Sequence, residues 1–134
     1  MVLLSSNAGN TGSVAIDFSL KGADGRTYSL GDFRENSLLV IIFMCNHCPY
    51  VKAVIDRFVR LQEKYEKDGV KLIGINPNDT ETYPEDSYEC MIDFVKEREI
   101  NFPYLVDDTQ ETARNYDAVC TPDIYVYDRE RILR

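Results

Sequence analysis

The reactive side chains of this 134-residue sequence are four cysteines, Cys45, Cys48, Cys90 and Cys120, and a single histidine. Two of the thiols and the imidazole fall together in Cys45-Asn46-His47-Cys48. Two sulfurs at this spacing can close into a disulfide and reopen, or hold a metal. Thiol–disulfide exchange needs a thiolate, and a free thiol, with a pKa of about 8.5, supplies little of one at neutral pH. A helix N-terminus supplies unpaired N–H groups and partial positive charge, and such sites lower the pKa to roughly 3.5–7.5. Pro49 follows the second cysteine directly, as a residue tolerated in the first turn of a helix. Cys45 is therefore expected to be the more exposed sulfur and the nucleophile. Cys48, one turn into the helix, is expected to attack a mixed disulfide on Cys45 and release the product. His47, when protonated, would hold the Cys45 anion further and make the disulfide a stronger oxidant.

The elements around this motif read as strand, helix, strand. Leu38–Met44 is apolar at every position, as in a central strand covered on both faces. Val51, Val54, Ile55, Phe58, Leu61 and Tyr65 repeat on one helical face, and Asp68-Gly69 ends that helix. Residues 70–75 form the next strand, which implies a right-handed parallel crossover. Ahead of it, Ile16–Leu20 and Thr27–Leu30 read as a hairpin around Asp24-Gly25. After it come a long polar loop from Asn76 to Pro84 on the CxxC side, a helix opened by Asp86-Ser87-Tyr88-Glu89, a strand at 102–106, a short helix from Asp108 to about Tyr116, a strand at 124–127 and the start of a return strand at 131–134. Residues 1–13, rich in Ser, Asn and Gly, read as a mobile arm; residues 14–134 read as one domain.

Composition narrows the partners. Lys plus Arg is 15 and Asp plus Glu is 23, a net charge of −8, so the basic footprint of a nucleic-acid-binding module is missing. An acidic chain is equally unsuited to anionic membrane surfaces, and no apolar run reaches the roughly 18 residues of a membrane span. The first dozen residues lack the basic and apolar regions of a signal peptide, which leads us to expect a cytoplasmic protein. A reducing cytosol disfavours structural disulfides. The acidic residues Asp79, Glu81, Glu85, Asp86 and Glu89 read as solvated surface, without the tight alternation of a calcium loop. No metal is expected: Cys45, His47 and Cys48 lack a second, distant histidine. No cofactor is expected either.

The order of elements, the segment Cys45-Asn46-His47-Cys48-Pro49-Tyr50-Val51-Lys52-Ala53 and the segment Thr121-Pro122-Asp123-Ile124-Tyr125-Val126-Tyr127 resemble the thioredoxin superfamily. They are closest to its peroxiredoxin-like branch, the alkyl hydroperoxide reductase/thiol-specific antioxidant or redoxin domains. The resemblance spans about Val14 to Arg134. It implies an α/β, thioredoxin-like fold: a central mixed sheet flanked by helices, preceded by the hairpin and cut short before the final strand and helix. It implies that Cys45 and Cys48 are the redox pair and that Pro122 is a cis proline facing it. Thr121 would present backbone groups to an extended substrate segment. Cys120, two residues before Pro122, would lie near the site as a third redox thiol or simply as a small buried hydrophobe. Cys90 reads as structural.

This chain departs from the family patterns in ways that matter. Met44 stands where thioredoxins carry Trp, and Leu38–Met44 holds no acid to take a proton from the second cysteine. The Pro and Thr that precede a peroxidatic cysteine are missing from Ile41, Ile42 and Phe43. The expected activity is therefore thiol–disulfide exchange on protein or small-molecule disulfides, recycled by an external thiol reductant. The competing reading is a thiol peroxidase with Cys45 as the peroxidatic sulfur. Without a closing helix, one sheet face is left apolar. Either the chain is a fragment or another subunit covers that face, as in a homo-oligomer.

Overall fold

The apolar run beginning at Leu38 becomes the spine of a six-stranded mixed sheet. The computed structural model describes residues 11–78, 81–118 and 121–134. Its strands are β1 (Ser19–Gly22), β2 (Thr27–Ser29), β3 (Leu38–Phe43), β4 (Val70–Asn76), β5 (Tyr104–Val106) and β6 (Asp123–Tyr127), in the spatial order β2-β1-β5-β4-β3-β6. β3 pairs in parallel with β4 from Leu38 opposite Val70 to Phe43 opposite Ile75, and β4 pairs in parallel with β5. β6 runs antiparallel to β3, and β1 antiparallel to β5. The hairpin expected ahead of the sheet is thus one edge of it. It also begins later than the alternation at Ile16 suggests. The Asp17 carboxylate accepts from Phe18 N at 2.9 Å and Leu30 N at 3.1 Å, satisfying backbone donors with a side chain instead of a ladder.

Alternation along β3 builds two cores, one on each face. Leu39, Ile41 and Phe43 pack with Ile73, Ile75, Leu105, Tyr116 and Tyr125. Ile42 and Met44 pack on the other face with Val51, Ile55, Met91, Phe94 and Tyr104. That second face is covered by α1 (Pro49–Tyr65) and α2 (Tyr88–Arg98). The short α3 (Glu111–Asn115) is opened by buried Asp107, whose carboxylate accepts from Thr112 N at 3.2 Å and Ala113 N at 2.8 Å. α2 opens on Ser87, whose hydroxyl accepts from Cys90 N at 3.2 Å.

The helical face of α1 differs from the periodic reading at its end. Val51, Ile55, Phe58 and Gln62 are buried, whereas Leu61 and Tyr65 are exposed. Gln62 is drawn inward because its amide bridges the start of β4. Its Nε2 donates to Val70 O at 2.9 Å and its Oε1 accepts from Leu72 N at 2.8 Å. Leu61 and Tyr65 instead border an apolar groove of about 350 Å³ over β3, β4 and β6, walled also by Val40, Phe58, Ile124 and Val126. Gly69 ends the segment after α1 at φ +82°, and a Cβ there would meet Ser37 Oγ at 2.8 Å.

Of the arm expected over residues 1–13, residues 11–13 are described and lie against the last residues of the chain. Gly12 N donates to Leu133 O and Leu133 N to Ser13 O, both at 2.8 Å. Arg134 N donates to Val126 O at 2.9 Å and Leu133 pairs with Tyr127, so the expected return strand is present as isolated antiparallel bridges and not as a strand. Among the described residues, no helix is long and apolar enough to cross a membrane.

Candidate active site

β3 delivers its end, and with it the CxxC, to the C-terminal edge of the parallel strands. Met44 N donates to Ile75 O at 2.9 Å and is the last residue held by the sheet. α1 begins at Pro49, with Cys48 as its N-cap in an extended conformation. The helix therefore starts one residue after the second cysteine, not at the first. Only Cys48 stands within its first turn, where the end of the helix acts on charge.

This offset reverses the expected exposure and acidity. Cys45 is buried, 1% exposed, and Cys48 is partly exposed. Burial pushes the Cys45 thiol up to about 12, and the negative charge of Asp86 adds to the shift. Burial acts on Cys48 too, but the backbone N–H of Val51, the Thr121 contact and the N–H of Tyr50 outweigh it and hold this thiol below its ordinary value. Both sulfurs are free thiols and both face Thr121. Cys48 Sγ donates to the Thr121 carbonyl at 3.4 Å, and Cys45 Sγ lies 3.8 Å from Thr121 Oγ1. The Thr121–Pro122 peptide bond is cis.

The nearest charged partner of His47 is Asp86, with Cys45 farther off. Its ring stacks on Tyr83 at 4.9 Å, and Nδ1 lies 2.6 Å from Asp86 Oδ2, in ion-pair range but without hydrogen-bond alignment. Asp86 is the residue that the sequence reading placed on the surface, and it is buried. It arrives on the 3-10 turn Pro84–Asp86 and is enclosed by polar donors. Asn46 N donates to Oδ1 and Asn78 Nδ2 to Oδ2, each at 2.7 Å. Asn46 is itself fixed by donating from Nδ2 to Glu85 O at 3.0 Å and accepting from Tyr104 OH at 2.7 Å. Tyr104 reaches it past Gly74, where a Cβ would stand 3.1 Å from the ring and 2.9 Å from Met44 Sδ. The signal for Asp86 was available: the loop after β4 leaves the same edge of the parallel sheet as the CxxC, where open α/β sheets gather their sites.

Cys45 Sγ, His47 Nδ1 and an Asp86 oxygen lie within 4.8 Å of one another. The 2.6 Å approach of His47 to Asp86 is too close for two donors on one cation, which at zinc–ligand lengths of about 2.0 Å stand roughly 3.3 Å apart in a tetrahedron. Cys90 is nearer the site than its structural reading implied. It is half-buried on α2 and lines a cleft of about 330 Å³ shared with Asn46 and His47. Cys120 lies outside the described residues.

A parallel β3–α1–β4 unit with a thiol pair at its strand–helix junction, opposite a cis proline, is a thioredoxin-like fold. The chain belongs to the AhpC/TSA family, whose model matches residues 11–134. It is similar to a solved structure, an uncharacterized conserved protein from Geobacillus kaustophilus, with a TM-score of 0.95 and 45% identity, covering 99% of this chain and 71% of that one. Two curated relatives divide between two activities. Peroxiredoxin Q, chloroplastic, of Oryza sativa subsp. japonica is 27% identical over 78% of this chain and 45% of its own length. Sporulation thiol-disulfide oxidoreductase A of Bacillus subtilis (strain 168) is 22% identical over 84% of this chain and 65% of its own. The chain thus spans about half the length of the first and under two thirds of the second.

Proposed function

We propose that this chain carries out thiol–disulfide exchange, cycling the Cys45–Cys48 pair between dithiol and disulfide. One observation carries the reading: two free thiols, one buried and one reachable, face the same residue, Thr121, beside a cis proline. A thiolate attacks the outside disulfide and one substrate sulfur leaves. The second thiol loses its proton and attacks the mixed disulfide, and the other substrate sulfur leaves. Two electrons pass to the substrate, which departs as two thiols, and an external thiol reductant restores the pair. Thr121 and Pro122 would bind an extended segment of the substrate. First attack by Cys48 uses the sulfur as it stands. First attack by Cys45, the order that the motif implies, requires the turn from Met44 to Cys48 to open. The absence of the Pro-and-Thr peroxidatic pattern before Cys45 favours exchange over the peroxidase activity named for the peroxiredoxin relative. Work in a reducing cytoplasm is part of the proposal.

The test is reduction of a protein disulfide by the enzyme with a dithiol recycling it, followed by mass analysis of the oxidised protein. The expected result is turnover, a Cys45–Cys48 disulfide, and loss of turnover in both Cys45→Ser and Cys48→Ser. Equal rates for wild type and the two variants end the proposal. Rapid peroxide consumption in a single turnover, without disulfide reduction, would assign the chain to the peroxidases instead.

A further inference from the structure

If the pair cycles as proposed, Cys45 must give up a proton each time the disulfide closes, and its burial leaves it no water to take that proton. The neighbours offer one buried base, the Asp86 carboxylate, and one base open to solvent, the His47 imidazole. Thr121 Oγ1, 3.8 Å away, is a neutral hydroxyl. Tyr104, from β5, is wholly buried, and burial together with the nearby Asp86 charge keeps its phenol protonated. Cys48, at the head of α1, is a partner in the bond being made. Asp86, from the turn before α2, and His47 are the remaining ionisable groups against Cys45 among the described residues, and an Asp86 oxygen, His47 Nδ1 and Cys45 Sγ lie within 4.8 Å of one another. Asp86 is itself sealed, with a side chain at 0% exposure. Its Oδ2, however, lies 2.6 Å from His47 Nδ1, and the imidazole is 29% exposed. His47 opens onto the cleft with Lys52, Glu85, Cys90, Asp93 and Arg98 on its walls.

We propose that Asp86 is the proton acceptor for Cys45 and that His47 is the exit from Asp86 to solvent. At rest burial, with the carboxylate's charge added, keeps the thiol neutral. As Cys45 Sγ bonds to Cys48 Sγ and the substrate sulfur leaves with the electron pair of the broken bond, the Cys45 proton passes to the Asp86 carboxylate. His47 then relays it to water. The donors from Asn46 N and Asn78 Nδ2 keep the carboxylate in place through the cycle.

The role has a signature that packing or plain electrostatics does not share. Removing the Asp86 charge lowers the barrier to ionising Cys45, so a merely repulsive neighbour would make closure faster when neutralised. A proton acceptor makes it slower. In a Cys90→Ser/Cys120→Ser background, excess 5,5′-dithiobis-(2-nitrobenzoate) releases one coloured thiolate on attack and a second on closure. In Asp86→Asn the second phase is expected to slow about a hundredfold, the lower end of the usual range for a positioned acid–base group. Its rate should climb tenfold per pH unit where the parent is nearly level. His47→Gln should slow the second phase as well, and added imidazole should restore it. This variant decides the matter if Asp86→Asn does not fold. A second phase as fast as the parent's in Asp86→Asn, or no slowing in His47→Gln, overturns the relay. Failure of the parent to show any second phase would instead remove the exchange reading itself.

Discussion

Cys45 and Cys48 are three residues apart, yet they live in opposite electrostatic surroundings. Cys48 stands at the N-cap of a 17-residue helix, where Val51 and Tyr50 offer backbone N–H groups. Cys45 stands one position past the last residue held by the sheet, buried near Met44 and Tyr104, with the Asp86 carboxylate outweighing the Thr121 hydroxyl and the Cys48 N–H that also face it. Burial is deeper at Cys45 and is the larger cause of its raised value. The sign of the charge beside each sulfur widens the gap. The helix acts only within its first turn, and a start one residue after Cys48 puts Cys45 beyond it. Burial then keeps the Cys45 thiol protonated, and an Asp from a distant turn reinforces it.

The largest effect of this difference lies at alkaline pH. The Cys45 thiol moves from an ordinary 9.0 to about 12 on folding. Between these values the unfolded chain has lost a proton that the native chain keeps. Stability therefore falls as pH rises through that window, by about 1.4 kcal/mol per unit and about 4 kcal/mol across it. Tyr116 and Tyr127, raised chiefly by burial, add losses of their own, but these are common to wild type and Cys45→Ala. Urea unfolding of both proteins from pH 8.5 to 11 isolates the Cys45 contribution. The wild type should lose stability more steeply, and parallel curves would show that the two sulfurs are not so differently placed.

Reactivity separates the sulfurs next. With Cys48 below the ordinary 9.0 and Cys45 pushed up to about 12, Cys45 holds at most about a thousandth of the thiolate that Cys48 does. Greater intrinsic nucleophilicity of the more basic sulfur recovers part of that, with a Brønsted coefficient of about 0.4–0.5. The net deficit is about fifty-fold before burial slows access further. Iodoacetamide kinetics at neutral pH in Cys45→Ser and Cys48→Ser, with Cys90 and Cys120 replaced by serine, should show the lone Cys48 reacting faster by at least that factor. A faster lone Cys45 would mean that the turn from Met44 to Cys48 opens readily and that the motif's usual order of attack holds.

The parts of this arrangement that were readable in advance are those set by local pattern. The unbroken apolar run of β3, the crossover into α1 and the Thr-Pro before β6 each announce themselves within a few residues. The limits of that reading are equally physical. Periodicity placed Leu61 and Tyr65 in the core and ignored Gln62. A glutamine becomes a core residue only when two backbone groups of another element, Val70 O and Leu72 N, meet its amide. Asp86 looked like one more acid in a polar loop. Its burial depends on Asn46 and Asn78, which come from both sides of β4 in sequence and converge only in space. The exposure of the two cysteines turned on a helix that starts about one turn later than the motif suggests, at Pro49 and not at Cys45, and helix starts are uncertain by about that much from sequence alone.

The smallest effect tests how firmly the Cys45 side is held. Tyr104 OH donates to Asn46 Oδ1 at 2.7 Å from a wholly buried position, and this bond ties the CxxC turn to β5. Tyr104→Phe removes the donor and leaves the Asn46 oxygen buried with one partner fewer, at a cost of about 1–3 kcal/mol. If the bond is what keeps Asn46 aligned toward Asp86, its loss loosens the seal over Cys45 and leaves Cys48 on its helix untouched. Alkylation of the lone Cys45 should then accelerate several-fold while that of the lone Cys48 stays the same. Equal acceleration of both would show that the turn moves as one piece and that the contrast between the sulfurs is set by the helix start alone.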